Sequence, residues 1–363
     1  MSSHQDTPGS AKLVGVALSG GVDSATAAHL LQRAGYDLIG FHMHLTKEGT
    51  RCSRTCCSLA SAEDARRVAN HLGIPFYVLN MEELFRREVV EPSRAAYRAG
   101  RTPNPCVLCN KNLKFKYLLR KAEELGCEAL ATGHYVRTID EMGMGEFSLR
   151  CGVDSEKDQS YFLYFLSQEL MRKLYFPLGW FSKEGTRMMA GNAGLIVASK
   201  PDSQDICFRL IDDAKAAEDM GDIIDEEGNV LGRHHGVEHY TVGQRKGLHI
   251  STGYPLYIKE IIPGSQRIIV APDDRILAKA LTASDVTFIT RYGKDKIKLH
   301  DNMIQAKVRY RSEAAPARVK FPKEGEVELE FVRPVRAVCP GQAVVLYLED
   351  EVLGGGTIDK AIY

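Results

Sequence analysis

The chain contains 363 residues, which corresponds to two or three domains at roughly 150 residues each. The 47 lysines and arginines balance the 47 aspartates and glutamates, and apolar residues make up 44% of the chain. This composition is typical of a folded globular protein and excludes disorder or a coiled coil as a description of the whole chain. No apolar run approaches the ~18 residues of a membrane-spanning helix, so we expect no membrane association.

The N-terminus and the cysteine content both bear on the cellular compartment. Residues 1–12 lack the apolar segment of a secretory signal, so we expect a short disordered tail and a cytoplasmic protein. Under reducing conditions the nine cysteines are more often buried, catalytic or metal-bound than paired in structural disulfides.

Apolar segments of strand length alternate with amphipathic segments in the first half of the chain. The predicted elements are strands at 13–18, 37–44, 75–80 and 128–132, and helices at 25–34, 61–72 and 110–125. A capping-box pattern, Ser61 with Asp64, marks the start of the second of these helices. This alternation predicts an α/β fold in which helices cover both faces of a parallel sheet.

The pattern changes after Phe208, where glycines separate short segments without a helical period. From about Leu281 the chain consists of short strands and turns, which predicts a small antiparallel β-barrel. The predicted barrel strands are 305–310, 317–321, 326–331, 342–347 and 356–362. The predicted organisation is a tail (1–12), a catalytic α/β domain (13–212), a small central domain (213–280) and a C-terminal barrel (281–363).

The most specific motif is Ser19-Gly20-Gly21-Val22-Asp23-Ser24, between the first predicted strand and helix. Its two glycines allow successive backbone N–H groups to point inward, and the helix N-terminus adds positive charge, so the turn forms an anion pocket. No Gly-Lys-Ser/Thr follows, so this is not a Walker A loop. The motif resembles the pyrophosphate loop (PP-loop) of the ATP pyrophosphatases, which adenylate a carbonyl oxygen and release pyrophosphate.

Two further segments contain cysteines that are candidates for reactive thiols. The proline-bracketed loop 101–110 leads into a predicted helix with Cys109 at its N-terminus and Lys111 and Lys114 nearby. The helix dipole and these cations favour thiolate over thiol. The second segment, 200–208, contains Cys207.

Together these motifs resemble one family, the tRNA-specific 2-thiouridylases, named MnmA in bacteria. The resemblance extends from Val14 over nearly the whole chain. Beyond the phosphate loop and loop 101–110, it includes the segments Ala131–Tyr135, Lys157–Leu163, Asp205–Phe208, Tyr240–Leu248, Arg309–Arg311 and Val338–Ala343. It implies a PP-loop domain of the adenine nucleotide alpha hydrolase-like fold, a central domain and a barrel that binds tRNA.

The resemblance also implies a reaction. ATP with Mg²⁺ adenylates the C2 oxygen of the wobble uridine in tRNA, and Asp23 helps to position the ion. Cys207 carries a persulfide received from a cysteine desulfurase or a sulfur-relay protein. Cys109 is the nucleophile that liberates the sulfur or resolves the intermediate as a Cys109–Cys207 disulfide.

The resemblance assigns residues to three binding roles. The implied ATP-binding residues are Ala17, Leu18, Ser19, Gly20, Gly21, Val22, Asp23, Ser24, Met43 and Gly133. The target uridine must leave the anticodon stack, and the residues implied to line its pocket are Asn104, Pro105 and Cys106. The residues implied to contact tRNA are Lys157, Asp158, Gln159, Tyr310 and Arg311.

Cys106 departs from the family pattern, because many relatives carry Asp at this position. With Cys109 and Cys207 it supplies three thiolates, a set that can hold a 4Fe–4S cluster with one open iron site. A cluster-dependent thiolase therefore stands beside the persulfide mechanism, while zinc would need a fourth ligand.

The remaining cysteines and the function class leave further alternatives. Cys52, Cys56 and Cys57 are interpreted as thiols of an active-site loop without a catalytic role, with a second metal site or a redox relay as the other readings. We expect Cys127, Cys151 and Cys339 to be small core residues. A PP-loop sulfurtransferase acting on another base is the alternative enzyme, and an ATP-sensing thiol or Fe–S redox protein is the non-enzymatic alternative.

Overall fold

The computed structural model describes residues 12–45, 59–141, 143–202 and 220–363. The chain divides into two compact units. The first comprises Met1–Phe85, Asn110–Ser160 and Gln168–Phe208, and the second comprises Arg86–Cys109, Tyr161–Ser167 and Arg209–Tyr363. Nothing in the sequence pattern predicts that the two short segments, 86–109 and 161–167, group with the C-terminal part of the chain.

The helices are mostly short and two of them continue through π-helical turns. The α-helices of the described residues are α1 (Val22–Arg33), α2 (Leu59–Leu72), α3 (Glu82–Phe85), α4 (Glu91–Arg98), α5 (Pro105–Leu108), α6 (Leu119–Glu124), α7 (Gln168–Arg172), α8 (Lys183–Asn192) and α9 (Gly293–Leu299). The π-helical turns follow α3 over Arg86–Val90 and α5 over Cys109–Leu118. Within these ranges, no helix is long and apolar enough to cross a bilayer.

The first unit is built on a parallel sheet, as predicted. The strands of this unit are β1 (Leu13–Ala17), β2 (Asp37–His44), β3 (Phe76–Asn80), β4 (Ala129–Ala131), β5 (Val136–Asp140), β6 (Phe147–Cys151) and β7 (Leu174–Tyr175). The sheet has the order β3-β2-β1-β4-β7, while β5 and β6 form an antiparallel hairpin. Val14 and Val16 of the central strand β1 are fully buried and pack with alanines of α1 and α2. This packing places the end of β1, where the phosphate loop begins, at the centre of the sheet.

Three predicted helix starts are wrong. Helix α1 begins at Val22, so that Asp23 lies in its first turn, and α2 begins at Leu59, ahead of the predicted capping box. The third helix begins at Pro105, with Asn104 as its N-cap. Apolar periodicity is a poor guide to helix ends, and α1 and α5 begin in glycine- and proline-containing turns.

The second unit contains a small mixed sheet. Its strands are β8 (Met220–Ile224), β9 (Val230–His235), β10 (Tyr257–Ile262) and β11 (Arg267–Ala271), in the order β10-β11-β8-β9. Ile223, Ile258 and Ile268 are fully buried in its core.

The same unit contains the predicted antiparallel barrel. Its strands are β12 (Leu277–Phe288), β13 (Ile304–Lys307), β14 (Ala315–Lys320), β15 (Val327–Arg336), β16 (Ala343–Leu348) and β17 (Glu351–Ile362). They run in the order β12-β15-β14-β13-β16-β17, and β17 pairs with β12 to close the barrel. Strand β13 ends at Lys307, so Arg309–Arg311 follow the strand and the predicted strand 305–310 is wrong at its end.

Candidate functional site

The phosphate loop is a tight turn between β1 and α1. Gly20 has φ +73°, and a Cβ at this position would lie 2.2 Å from the carbonyl oxygen of Ser61. Only glycine fits that backbone and that space. The Ser24 hydroxyl accepts a hydrogen bond from the Ser19 N–H at 3.1 Å and donates to the Gly21 carbonyl at 3.2 Å. These bonds fix the turn in front of the helix N-terminus.

The carboxylate of Asp23 is bound by two partners that the sequence analysis did not single out. Lys183 Nζ lies 2.7 and 2.9 Å from the two Asp23 oxygens, and the Tyr135 hydroxyl donates to Oδ1 at 2.7 Å. Lys183 is the first residue of α8, and its side chain is only 11% exposed. Burial, followed by the negative charge of Asp23, raises the pKa of Tyr135, so the hydroxyl remains a donor.

Asp202 connects Lys183 to two further cations. Its Oδ1 lies 2.8 Å from Lys183 and 2.7 Å from Arg187, and its Oδ2 lies 2.9 Å from Lys157. Burial alone would raise the pKa of Asp202, but hydrogen bonds and charge from Lys183 and Lys157 outweigh it and lower the value to about 2. The carboxylate is therefore ionised throughout the physiological range.

Gly133 brings the turn after β4 against the phosphate loop. A Cβ at Gly133 would lie 2.8 Å from the Asp23 carbonyl carbon and 2.8 Å from the Ser24 nitrogen. The next residue, His134, is buried, and its Nδ1 lies 2.7 Å from the Thr132 hydroxyl. Burial and the nearby charge of Lys114 hold the pKa of His134 well below its usual range, so the imidazole is neutral.

The other predicted nucleotide residues follow the edge of the sheet. Ala17 ends β1, and Leu18 is buried and donates its N–H to the Phe41 carbonyl at 2.8 Å. Met43 is buried near the end of β2, and Val22 is buried at the start of α1. Their roles toward ATP stay predictions.

The predicted tRNA-contact segment 157–159 is largely engaged within the first unit. Asp158 is buried and accepts hydrogen bonds from the N–H groups of Gly152 and Ser160, both at 3.1 Å, and from the Ser160 hydroxyl at 2.8 Å. The Gln159 side-chain oxygen accepts from the Tyr135 N–H at 3.1 Å. Asp158 therefore fixes the conformation of residues 157–159, and Lys157 supplies the positive charge of this segment.

Replacing Asp158 by alanine is expected to destabilise the protein, because two backbone N–H groups lose their acceptor. The expected loss is about 3 kcal/mol in the free energy of unfolding, measured by urea denaturation, and Asp158→Asn should lose less because it keeps one acceptor oxygen. An unchanged unfolding midpoint in Asp158→Ala, together with weakened tRNA binding, would instead assign Asp158 a direct contact with RNA.

In the second unit, the cysteine loop is held by the turn between β15 and β16. The Thr102 N–H donates to the Pro340 carbonyl at 2.7 Å, and the Gln342 amide donates to the carbonyls of Thr102 at 3.2 Å and Pro103 at 3.0 Å. Gly341, with φ +91°, has no room for a Cβ beside Thr102. The turn therefore positions the loop through the Pro340 carbonyl and the side-chain amide of Gln342, which both bind backbone groups of the loop.

Cys106 and Cys109 lie one helical turn apart, beyond that loop. The Asn104 side chain accepts from the Val107 N–H at 3.3 Å and forms a hydrogen bond with Tyr161, so it both caps the helix and is fixed itself. Cys106 is in the first turn, and Cys109 is the fifth helical residue. The prediction that Cys109 occupies the helix N-terminus is therefore wrong. Both thiols are half-buried, and their i, i+3 spacing places them on one helix face.

Tyr310 lies beyond β13, against a second aromatic ring. Its ring centroid is 4.4 Å from that of Phe162, and Arg311 is exposed. Arg309 turns inward, where its guanidinium donates to the Cys339 sulfur and, at 2.8 Å, to the Val242 carbonyl. Cys339 is thus buried, as expected, but its sulfur also accepts a hydrogen bond.

Burial differs between the other two cysteines expected in the core. Cys127 is buried, and this burial raises its pKa to about 11. Cys151 is half-buried, and its sulfur lies 3.5 Å from the Ser160 hydroxyl.

Four predicted cysteine positions and most of the tail lie outside the described residues. These are Cys52, Cys56, Cys57 and Cys207, together with residues 1–11. Of the three thiols that an iron–sulfur cluster would need, the described residues contain only Cys106 and Cys109. Within the described part of the chain, no three His, Cys, Asp or Glu side chains are grouped to hold a metal ion.

Sequence reasoning missed Tyr135, Lys183, Asp202 and Gln342 as parts of the two sites. Tyr135, Asp202 and Gln342 fall within the quoted segments, but those segments gave no partner for them. Lys183 lies outside every motif. Its only local signal is Ser182, which caps α8 by accepting the Gly185 N–H, and a helix cap does not indicate a function.

Comparison with known proteins decides the family. The tRNA-specific 2-thiouridylase MnmA of Geobacter metallireducens is 44% identical over 366 residues, which cover 97% of this chain and 98% of the relative. The protein of the same name from Carboxydothermus hydrogenoformans is 42% identical, with 97% and 98% covered. The chain belongs to the MnmA family.

Family models divide this MnmA-family chain into three parts. They are described as a tRNA methyl transferase HUP domain (12–210), a tRNA methyl transferase PRC-barrel domain (212–272) and an aminomethyltransferase beta-barrel domain (278–358). Among solved structures, a 4-thiouridine synthetase–RNA complex with bound ATP is 19% identical, with a TM-score of 0.36 and coverage of 54% of this chain and 45% of that chain.

Proposed function

We propose that this protein is an ATP-dependent tRNA-uridine 2-sulfurtransferase that replaces the C2 oxygen of the wobble uridine by sulfur. The observation that carries the proposal is the similarity to named 2-thiouridylases over 97% of the chain. The HUP model is described in terms of methyl transfer, but a phosphate loop with two cysteine segments suits ATP activation and sulfur transfer better.

The first step is activation of the uridine. The C2 oxygen attacks the α-phosphorus of ATP, a C2–O–P bond forms and pyrophosphate leaves. Residues 17–24, with Met43 and Gly133, hold the nucleotide. Mg²⁺ arrives with the phosphates as part of the substrate, since this ion is usually held by one or two carboxylates and the phosphate oxygens. Asp23 supplies the only carboxylate of the loop.

The second step exchanges oxygen for sulfur. Cys207 receives a persulfide from a cysteine desulfurase or a sulfur-relay protein, and the terminal sulfur attacks C2 and displaces AMP. The Cys109 thiolate then attacks the Cys207 sulfur, the S–S bond to the transferred sulfur breaks, and its electron pair remains on the thione sulfur. Alternatively, Cys109 attacks the persulfide first and the liberated sulfide displaces AMP. Both routes end in a Cys109–Cys207 disulfide, which a cellular thiol must reduce in the cytoplasm.

Two groups of residues are proposed to bind the tRNA. Asn104, Pro105 and Cys106 line the pocket for the flipped uridine. Lys157 and Gln159, held in place by Asp158, contact the RNA, as do Tyr310 and Arg311. The exposed Arg311 suits a phosphate contact, and the Tyr310 and Phe162 rings suit contacts with bases.

The direct test is an incubation of the purified protein with tRNA, ATP and a cysteine-desulfurase sulfur donor, followed by nucleoside mass spectrometry. We expect 2-thiouridine at the wobble position, with one AMP and one pyrophosphate per sulfur. A thiolated base elsewhere would indicate the alternative RNA sulfurtransferase. ATP binding without pyrophosphate release would indicate a sensor.

Cys106 separates the persulfide mechanism from the cluster mechanism. In the persulfide mechanism, Cys106→Ala retains activity within a few-fold, since an alanine still fits beside the base, and anaerobically purified protein carries no iron. In the cluster mechanism, wild type carries about four irons per chain, and Cys106→Ala loses both iron and activity. Iron and acid-labile sulfide assays on the two proteins decide between them.

A further inference from the structure

A cluster of five charged side chains lies beside the phosphate loop. We call Asp23, Lys157, Lys183, Arg187 and Asp202 the Lys183 cluster. It contains three positive and two negative charges, and the four contacts that join its members through Asp23 and Asp202 measure between 2.7 and 2.9 Å. Its net charge is therefore positive.

Lys183 is the member of this cluster that contacts the loop. Its side chain is 11% exposed, and its ammonium group lies between the carboxylates of Asp23 and Asp202, 2.7 and 2.8 Å away. Its backbone is fixed as well, because the Lys183 N–H donates to Asp154 at 2.8 Å. A lysine ammonium has three donors on a flexible stem, so it can exchange one acceptor for another.

Without this cation, Asp23 would oppose nucleotide binding. Asp23 lies within the predicted anion pocket, residues 19–24, so an unpaired carboxylate there would repel a triphosphate. Asp202 cannot neutralise Asp23, but it holds Lys183 in place, and Arg187 and Lys157 compensate its own charge. The cluster therefore holds a cation beside the loop.

We propose that Lys183 binds the β- and γ-phosphates of ATP and stabilises the charge of the departing pyrophosphate, with Asp202 as a positioning residue. This inference rests on the proposed function, since it assigns the loop to ATP. On nucleotide binding, the ammonium exchanges one of its two contacts with the Asp23 oxygens for a contact with a phosphate oxygen, so that Asp23 stays paired. Charge-assisted hydrogen bonds to phosphate are among the stronger ones in proteins.

The test measures nucleotide affinity of the full chain by calorimetry, with ATP and AMP as probes and no tRNA. Lys183→Met should weaken ATP binding roughly tenfold to a hundredfold and leave the affinity for AMP within about twofold of wild type. Lys183→Arg should largely restore ATP binding, because it keeps the positive charge. Lys173→Met is the matched control, because it removes another lysine–carboxylate pair of the same unit, 2.9 Å from Glu123. Unchanged ATP affinity, or equal losses for ATP and AMP, would overturn the proposal.

A double variant separates phosphate binding from simple neutralisation of Asp23. If Lys183 only cancels the charge of Asp23, Lys183→Met combined with Asp23→Asn binds ATP as tightly as Asp23→Asn alone, and the proposal fails. If Lys183 binds phosphate itself, the double variant binds ATP more weakly than Asp23→Asn alone. The thiolation assay on wild type tests the proposed function separately, so each idea can fail without the other.

Discussion

Cys109→Ser is expected to abolish 2-thiouridine formation while pyrophosphate is still released in the first turnover. A serine hydroxyl cannot attack a disulfide sulfur at neutral pH, so the transferred sulfur is never liberated, whereas activation at the phosphate loop needs no thiol. Loss of a covalent nucleophile typically lowers the rate by roughly 10³-fold or more. The measurement is nucleoside mass spectrometry alongside a pyrophosphate assay in a single turnover.

Cys127→Ala provides the matched control for Cys109→Ser. Cys127 is buried in the first unit and its pKa is raised to about 11, so it carries almost no thiolate. This variant should retain thiolation, with at most a loss of stability. Wild-type levels of 2-thiouridine from Cys109→Ser would exclude Cys109 as the nucleophile.

Gly20→Ala is expected to prevent activation of the uridine. The added methyl group would lie 2.2 Å from the Ser61 carbonyl oxygen, and the residue would have to keep φ +73°. The loop must therefore move, and displacement of binding groups by about 1 Å can cost about a hundredfold in rate. We expect at least that loss in pyrophosphate release, together with weaker ATP binding.

Gly35→Ala tests whether backbone strain alone explains the effect of Gly20→Ala. Gly35 follows α1 with φ +89°, and nothing lies within 4 Å of its added Cβ. This control should lose about 1–2 kcal/mol of stability from the left-handed backbone and keep its activity. Equal losses of activity in the two variants would show that the phosphate loop is not the site of activation.

The first unit was largely predictable because its signals are local. Strand β2 has the predicted bounds, Asp37–His44, and the phosphate loop lies between β1 and α1 as expected. Apolar strands and glycine turns are determined by a few consecutive residues, so they can be recognised in the sequence itself. Helix starts were less predictable, because α1 and α5 begin in glycine- and proline-containing turns that interrupt the apolar period.

The contacts around the candidate site were not predictable from spacing. Asp23 meets Tyr135 and Lys183, which are 112 and 160 positions away in the chain, and Gln342 holds the Thr102 backbone across 240 positions. Such pairs form only in the folded chain, where the tertiary structure brings residues that are distant in the sequence together. The motifs indicated which segments matter, but not which side chains orient them.

Isotope labelling of the uridine tests the central claim most directly. A tRNA carrying ¹⁸O at C2 of the wobble uridine is incubated with the persulfide-loaded protein and ATP, and the AMP is analysed by mass spectrometry. If the oxygen is adenylated and then displaced by sulfur, each 2-thiouridine formed is accompanied by one AMP containing ¹⁸O. Formation of 2-thiouridine with unlabelled AMP would contradict the account, because the oxygen would then have left without ever being bonded to phosphorus.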